Sequence, residues 1–473
     1  MKSLKENKII IFCILISIFG CKKLIEIDKP IDKIVAKSIF STNSGSIAAV
    51  TGMYELMIKR SWVSGNGSLS TSLGLTADEL SNIVSDDRTY TNNYSATNNY
   101  GSWFYFYEFI FRANSAIEGL QDSKTIDLDI KKELIAEAKF LRALNYFYLV
   151  ESYGDIPLFT TSDYAATRVA PRSSKKIVYS QIIKDLTEAQ DDLNSDYVGG
   201  DVRTKTIERT RPNKDVARAL LARVYLYNGE WQNAINESSK VINNTGTYKL
   251  DEIDKVFLKN SNEAIWQLQP VINGVNTEDG QVFILDRAPD NFKSYYLSHF
   301  LLDAFEKDDE RQYKWIGIYI DKNAIPNRIY KFPYKYKIGT TPQPVTEYLM
   351  VFRLAEQFLI RSEAKAQLNL IDGNLGAQSD LNKIRMRAGL SEIFPSTQSA
   401  MLAAILKERQ VELFTELGHR WFDLKRMGKI NEVMSMVTPE KGGVWFSYKS
   451  LFPIPQKDIL TNPSLAGHQN PGY

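Results

Sequence analysis

Cysteine and histidine are scarce in this sequence of 473 residues. The two cysteines, Cys13 and Cys21, both lie near the N-terminus, so a chain processed there would keep no thiol for a disulfide, a CxxC zinc site or nucleophilic catalysis. The three histidines, His299, His419 and His468, are far apart and form no HExxH-type pair. We therefore expect neither a dedicated metal site nor a cofactor.

A dominant charge of one sign is also missing. The sequence has 58 Lys and Arg residues against 56 Asp and Glu residues, which gives a formal net charge of +2. Such a balance provides no general field for nucleic acid, so we expect no nucleic-acid partner. The hydrophobic fraction of 44% is typical of a globular protein, and the 25 tyrosines suit half-exposed binding surfaces, because each has a broad apolar face and a hydroxyl group.

The N-terminus has the pattern of an export signal. Three lysines within the first eight residues precede an apolar run over residues 9–19, which is too short for a comfortable membrane span. The run ends at Gly20–Cys21, which resembles a bacterial lipobox, whose cysteine is lipidated after cleavage. We predict a signal peptide over residues 1–20, a lipidated Cys21 and a tether within residues 21–46, so that the protein is anchored to a membrane without spanning it.

The most informative stretch is residues 405–428, ILKERQVELFTELGHRWFDLKRMG. Its apolar residues recur at helical spacing as far as Leu417, and Gly418 is the residue expected just past a helix end. A second amphipathic pattern follows from His419 to Met427, so we predict a helical hairpin. Acids and bases recur along it at spacings of three or four residues and tolerate burial only when paired. We predict a structural role for Glu408, Glu412, Arg420 and Asp423.

Together with LFPIPQKDILTNP at residues 451–463 and the final QNPGY, this stretch resembles the C-terminal signature of the SusD/RagB family. The RANSAI segment at residues 112–117 also resembles that family. Its members are outer-membrane lipoproteins of Bacteroidetes that capture nutrients, often oligosaccharides, and pass them to a SusC-type TonB-dependent transporter. The resemblance implies a non-catalytic, nutrient-binding lipoprotein at the outer membrane, facing the cell exterior, with such a transporter as partner and a glycan or another nutrient as ligand.

Helical periodicity predicts a mainly α fold built from tetratricopeptide-like helix pairs. In residues 215–242, small and aromatic residues lie close to tetratricopeptide spacing around an Asn228–Gly229 turn. Such pairs bury their faces by stacking on one another. We predict about four pairs, packed against an irregular, loop-rich part. They lie in a SusD-like domain over residues 47–473, near residues 130–193, 214–242, 347–388 and 401–433.

Two stretches break the helical period and are the predicted ligand-binding parts, residues 61–101 and residues 243–346. In glycan-binding members of the family that this chain resembles, both parts contribute to the site. Aromatic residues in loops, such as Trp62, are harder to bury than those on helical stripes, and aromatic faces with nearby polar groups suit sugars. We predict ligand contacts from Asp78, Asn82, Arg88, Tyr90, Tyr94, Tyr295, Tyr296 and Trp315.

Two other functions stay open. A secreted glycoside hydrolase would need an acid and a second carboxylate flanking the scissile bond, and no local motif marks such a pair among the 56 acidic residues. A repeat scaffold that binds only protein is the other alternative, because tetratricopeptide surfaces usually bind peptides. No motif decides whether the nutrient is a glycan or a peptide.

Overall fold

The computed structural model of the protein describes residues 38–60, 62–84, 86–97, 102–340 and 342–473. The predicted signal peptide and Cys21 lie outside these residues. Helices dominate the described residues and strands are short, so the predicted mainly α fold with tetratricopeptide-like helical repeats is confirmed.

The chain order interleaves long helices with short elements. The helices are α1 (Asn43–Lys59), α2 (Leu69–Thr76), α3 (Trp103–Asp122), α4 (Leu128–Tyr153), α5 (Tyr164–Thr167), α6 (Lys175–Asp192), α7 (Lys214–Tyr227), α8 (Trp231–Ile242), α9 (Glu278–Phe283), α10 (His299–Leu302), α11 (Glu310–Lys314), α12 (Leu354–Gln367), α13 (Ala377–Arg387), α14 (Gln398–Glu412), α15 (His419–Arg426), α16 (Ile430–Glu440) and α17 (Gln456–Thr461). The strands are β1 (Leu80–Asn82), β2 (Ile156–Pro157), β3 (Arg172–Ser173), β4 (Ala264–Leu268), β5 (Tyr295–Leu297), β6 (Ile316–Asp321), β7 (Arg328–Pro333) and β8 (Leu349–Arg353).

Successive long helices pack side by side into one stack: α3 on α4, α4 on α6, α6 on α7, α7 on α8, α8 on α12, and α12 on both α13 and α14. Small side chains let three of them approach closely, because Ala222, Ala234 and Ala364 are buried where α7, α8 and α12 meet. The side chain of Asn213 caps α7 by accepting hydrogen bonds from two backbone N–H groups. Gly229, at a φ of +77°, makes the turn into α8.

Two helix boundaries differ from the sequence-based prediction. The pattern from residue 347 onward is not helical at first, because Leu349–Arg353 forms strand β8, which pairs antiparallel with β4. Helix α14 ends at Glu412 rather than near Leu417. The backbone leaves the right-handed helical region there, with a φ of +53° at Thr415 and +47° at Leu417. The Lys335 ammonium donates hydrogen bonds to the carbonyls of Glu412 (2.9 Å) and Phe414 (2.8 Å), which satisfies acceptors left open at the helix end.

Every strand in the described part of the chain belongs to a two-stranded sheet, β1–β5, β2–β3, β4–β8 or β6–β7. The first of these joins the two irregular stretches of the sequence, which are 215 positions apart at the Ser81–Tyr296 pair, by subtraction of their numbers. The irregular part and the helical stack share the main hydrophobic core, and a smaller cluster of Leu285, Tyr330 and Phe332 lies within the irregular part. None of the helices among the described residues combines the length and the hydrophobicity needed to cross a bilayer.

Candidate functional site

Three of the predicted ligand-binding tyrosines come together at the β1–β5 pair. Ser81 lies opposite Tyr296, and Asn82 lies opposite Tyr295. Successive residues of a strand face opposite sides, whereas residues directly opposite each other share a side. The hydroxyl of Tyr90 lies close to the side chains of Ser81 and Tyr296, which places Tyr90 on the side of Tyr296. We call Ser81, Tyr90 and Tyr296 the tyrosine surface.

The rings of the tyrosine surface are half-buried, and each packs against a residue from another part of the chain. Tyr296 contacts the buried Tyr330 of β7 edge to face, with 5.3 Å between ring centroids. The ammonium of Lys441 lies 5.3 Å from the centroid of the Tyr90 ring. Burial raises the pKa of Tyr90 above its ordinary value, so its hydroxyl stays neutral and able to donate a hydrogen bond at physiological pH. The arrangement offers oriented aromatic faces beside neutral hydroxyl groups.

The turn after β1 is organised by Asp87, and this turn positions Tyr90. The Asp87 carboxylate accepts hydrogen bonds from the backbone N–H of Thr89 (2.8 Å) and Tyr90 (3.1 Å), and from the side-chain amide of Asn82 (2.9 Å). Asn82 is buried and fully engaged, since its carbonyl oxygen accepts from the N–H of Val84 at 2.9 Å. The prediction that Asn82 contacts ligand is therefore corrected, because this side chain shapes the turn.

Arg88 and Tyr295 flank the tyrosine surface without belonging to it. Arg88 is exposed on the turn organised by Asp87. Tyr295 is half-buried on the opposite side of β5, and its hydroxyl donates a hydrogen bond to the Asn66 side chain at 2.7 Å. Both residues keep a path to solvent, so their predicted contact with ligand stays a prediction.

Two predicted ligand contacts are wrong because the side chains are in the core. Trp315 is 0% exposed and donates its indole N–H to the carbonyl of Ile253 at 2.8 Å. Tyr94 is 4% exposed, donates its hydroxyl to the carbonyl of Lys449, and packs on Phe452 with 4.9 Å between centroids. Trp62 is buried as well. The C-terminal segment covers Tyr94, which a pattern of loop-forming residues does not reveal.

Asp78 is the fourth predicted ligand contact that the structure corrects. It is buried and accepts two hydrogen bonds from the guanidinium of Arg420, at 2.8 and 2.6 Å, in a bidentate pair. A predicted ligand contact and a predicted structural residue are thus partners of each other. The sequence contains no local signal for this pairing, because the two residues are 342 positions apart.

The charged residues of the C-terminal stretch are buried and paired. Glu408 binds Arg311 at 2.7 Å, and Asp423 binds Arg409 at 2.6 Å. Glu412 has three arginine partners. Burial acts to raise the pKa of the Glu412 carboxyl, but the charges of the arginines outweigh it and hold the pKa well below its ordinary value. The arginines bound to Glu412 are Arg311, Arg353 and Arg387.

The C-terminal stretch, together with Lys441 beyond it, holds the strand that carries the tyrosine surface. Besides Arg420, the ammonium of Lys441 donates to the carbonyls of Leu75 (2.6 Å) and Ala77, at the end of α2. The backbone N–H of Leu417 donates to the Ser70 hydroxyl at 3.1 Å. Helix α2 leads directly into β1, so these contacts fix the position of Ser81. Among the described residues, no cluster of His, Cys, Asp and Glu is suited to hold a metal ion.

Two family models match the chain. The one described as the SusD family matches residues 303–473, and the one described as starch-binding and associating with the outer membrane matches residues 47–226. These segments contain the buried charge pairs of the C-terminal stretch and strand β1, respectively.

Individual proteins extend the similarity over the full chain. SusD-like protein P2 from Formosa agariphila is 26% identical, with 99% of this chain and 100% of that protein covered. A laminarin-binding SusD-like protein of known structure is 25% identical, with a TM-score of 0.71 over 90% of this chain and 99% of the other. A SusD superfamily protein from Bacteroides vulgatus shares the fold at 22% identity, with a TM-score of 0.76 over 92% of this chain and 100% of the other. The chain therefore belongs to the SusD family.

Proposed function

We propose that this protein is a non-catalytic, cell-surface lipoprotein that binds an oligosaccharide and delivers it to a SusC-type TonB-dependent transporter. The observation that carries the proposal is the tyrosine surface, where two separate irregular stretches supply half-buried rings to one side of the β1–β5 pair. The starch-binding description of one family model and the laminarin-binding function named for one similar structure support a glycan as ligand.

The chemistry of the tyrosine surface suits a sugar ring. A pyranose has an apolar C–H face that packs on an aromatic ring, and hydroxyl groups at its edge that exchange hydrogen bonds with tyrosine and serine hydroxyls. Each such polar contact contributes on the order of 1 kcal/mol and orients the ring. In this proposal, Arg88, which is exposed on the turn that carries Tyr90, contacts a neighbouring sugar unit. Tyr295 faces the opposite side of β5 and would contact only a ligand that extends around the strand.

Calorimetry of the detergent-solubilised full chain with laminarin and with soluble starch tests the proposal. We expect Tyr90→Ala and Tyr296→Ala each to weaken binding by about tenfold, because each removes a stacking face and a hydroxyl. Tyr164→Ala is the matched control, since Tyr164 is 75% exposed on α5. Equal affinities for all four proteins would contradict this placement of the site.

Turnover separates binding from hydrolysis. We expect the same glycans to be recovered at unchanged length after prolonged incubation with the protein. Accumulation of shorter products that depends on a carboxylate of this chain would instead support the glycoside hydrolase alternative.

The membrane anchor is tested at Cys21, which lies outside the described residues. We expect Cys21→Ser to move the protein from the outer-membrane fraction to the soluble fraction, since lipid chains on this residue would be the anchor. A Cys21→Ser variant that still fractionates entirely with the outer membrane would contradict lipidation at this position.

A further inference from the structure

The β6–β7 hairpin has one packed side and one exposed side. Residues directly opposite each other in an antiparallel pair share a side, so Tyr319 and Tyr330 lie on one side and Ile320 and Ile329 on the other. Tyr319 and Tyr330 pack into the smaller hydrophobic cluster of the irregular part. The opposite side of the hairpin faces away from that cluster.

The exposed side is apolar, and we call it the isoleucine face. It consists of Ile318, Ile320 and Ile329, which are 60%, 46% and 61% exposed, and of Lys331, which lies opposite Ile318. At the tip of the hairpin, Ile325 is 99% exposed. A single exposed apolar residue is ordinary, but four exposed isoleucines on one short hairpin indicate an interaction surface.

The hairpin is also cationic. It contains Lys322, Arg328 and Lys331 but one acid, Asp321, so its formal net charge is +2. Asp321 lies opposite Arg328, on the packed side. None of the three cations forms an ion pair with a residue in the described part of the chain. The isoleucine face itself therefore carries positive charge alone.

The side chains of the isoleucine face offer no hydrogen-bond acceptor. Isoleucine has no polar side-chain atom, and the ammonium of Lys331 only donates. A protein partner usually exchanges hydrogen bonds in both directions, whereas the phosphates of lipids only accept them. A second copy of this chain is disfavoured, because its cations would meet those of the first. Apolar surface bordered by cations is the composition of elements that lie in a membrane interface.

We propose that the isoleucine face and the tip of the hairpin lie on an anionic lipid surface. The isoleucines reach the boundary between acyl chains and head groups, and Lys322 and Lys331 extend their long stems to the phosphates. Such a contact is reversible, since even one myristoyl chain binds a membrane only marginally. It orients a tethered protein without anchoring it, so the expected release of the Cys21→Ser protein on fractionation is unaffected.

The contact fixes the tyrosine surface relative to the membrane. Tyr330, on the packed side of the same hairpin, contacts Tyr296 with 5.3 Å between ring centroids. One side of the hairpin thus supports a ring of the tyrosine surface while the other side meets lipid. The inference depends neither on glycan binding nor on lipid at Cys21.

The fluorescence of acrylodan, a dye whose emission shifts to the blue in apolar surroundings, tests the contact locally. In a full chain carrying Cys13→Ser and Cys21→Ser, Ile329→Cys supplies the thiol for the dye, since the sequence has no other cysteine. We expect a blue shift with vesicles of equal parts phosphatidylcholine and phosphatidylglycerol. Vesicles of phosphatidylcholine alone should need about tenfold more lipid, because they do not attract the lysines.

The matched control places the dye elsewhere. Ile207 is 80% exposed in the loop before α7, and the dye on Ile207→Cys should not shift with either kind of vesicle. Because the dye reports only on its own surroundings, membrane binding by residues 1–20 does not imitate the effect.

Two variants separate the apolar contribution from the electrostatic one, with the dye kept at position 329. Ile318→Ser should raise the lipid needed by about tenfold, because it removes one apolar side chain from the contact. Lys322→Gln/Lys331→Gln should make the response to both kinds of vesicle equal. The substituted side chains lie on the surface, and a melting temperature equal to that of the parent shows that each variant is folded.

Several results would overturn the inference. These are no blue shift at position 329 with the anionic vesicles, an equal shift at position 207, an equal response of the parent to both kinds of vesicle, and a response that neither variant changes. A blue shift that grows with protein concentration in the absence of lipid would assign the face to a second copy of this chain. A normal response to vesicles in a protein that binds no glycan would contradict the proposed function and leave this inference standing.

Discussion

Asp423 accepts hydrogen bonds from two arginines in a site closed to solvent. Arg409 binds one carboxylate oxygen at 2.6 Å, and Arg426 binds the other at 2.9 and 2.7 Å. Asp423→Ala leaves both guanidinium groups without this partner, so we expect a loss of roughly 3–5 kcal/mol in the free energy of unfolding. Urea unfolding measures this loss.

The control for Asp423 is Glu432→Ala. Glu432 forms an exposed ion pair with Lys429, with its side chain 63% exposed, and an exposed pair contributes about 0–1 kcal/mol. If Asp423→Ala unfolds at the same urea concentration as the wild type but no longer binds glycan, Asp423 belongs to the ligand site and the structural interpretation is wrong.

Glu79 gives a prediction about pH. Burial, and then the negative charge of Asp78, raise the pKa of Glu79 from 4.5 to about 8. Between these values the folded protein binds more protons than the unfolded chain, so this group contributes stability below pH 4.5 that is lost as the pH rises towards 8. We expect Glu79→Gln to make the fall in melting temperature across this window less steep.

The comparison for Glu79→Gln is Glu432→Gln, at an exposed position where the same chemical change is made. Its melting temperature should follow the wild-type pH dependence. An unchanged slope in Glu79→Gln would show that Glu79 is ionised in the folded protein throughout the window. Burial also raises the pKa values of Glu133 and Asp279 to about 8. These two groups therefore preserve part of the fall in melting temperature with pH in every variant.

At the scale of residues, the sequence predicts that the acids of the C-terminal stretch need partners, but it does not identify them. Arg311 lies 101 positions from Glu412, and Arg353 lies 59 positions from it. Helical spacing relates residues three or four apart, so it has no bearing on contacts made by folding over such distances. The exposure of loop aromatics depends on the same long-range packing, and this explains why Tyr90 remains at the surface while Trp315 does not.

At the scale of elements, Gly418 links the C-terminal stretch to α2. Its φ is +75°, and a Cβ there would lie 2.2 Å from Cδ1 of Leu73. We expect Gly418→Ala to destabilise the protein by more than the 1–2 kcal/mol or so that a left-handed backbone conformation costs an ordinary residue, because the clash adds to that cost. Thermal or urea unfolding measures the difference.

Gly428→Ala separates the cost of the left-handed backbone from the cost of the clash with Leu73. Gly428 has a φ of +69°, and a Cβ there would meet no atom within 4 Å, so only the backbone cost applies. Equal destabilisation by both substitutions would mean that Leu73 moves aside freely, and that the close contact between α2 and the turn before α15 contributes nothing to stability.

Helices were predictable from the sequence because their period of 3.6 residues survives in segments such as 215–242. Strands were not predictable from the sequence, and β4 and β8 show the reason. Every residue of both strands is buried, so no alternation of polar and apolar residues marks them, and β8 runs directly into α12. The sequence predicted that both irregular stretches contribute to the candidate site. Only the register of β1 with β5, together with the closeness of Tyr90 to Ser81, shows that Tyr90 shares a side with Tyr296 and not with Tyr295.

At the scale of the whole molecule, the helical stack and the irregular part are joined through one core. Tyr90 packs against this core, and Tyr296 packs against a smaller cluster of Leu285, Tyr330 and Phe332. Rings held in place by packing favour recognition of one ligand shape over adaptation to many ligands. Under the proposed function, a transporter docked on the protein would then meet the glycan in a fixed orientation.

A tethered binding protein cannot by itself move its ligand across the outer membrane, so the proposed function requires a transporter. We expect the protein to co-purify in detergent with a SusC-type transporter encoded beside it. Shared lipid could also hold two membrane proteins together, and Cys21→Ser removes this possibility. The Cys21→Ser protein, added in solution to the purified transporter, should still form a complex detectable by size-exclusion chromatography, because docking would depend on protein surfaces. A protein that remains monomeric in this mixture, while binding glycan normally, would contradict the partnership and leave glycan binding as its only supported function.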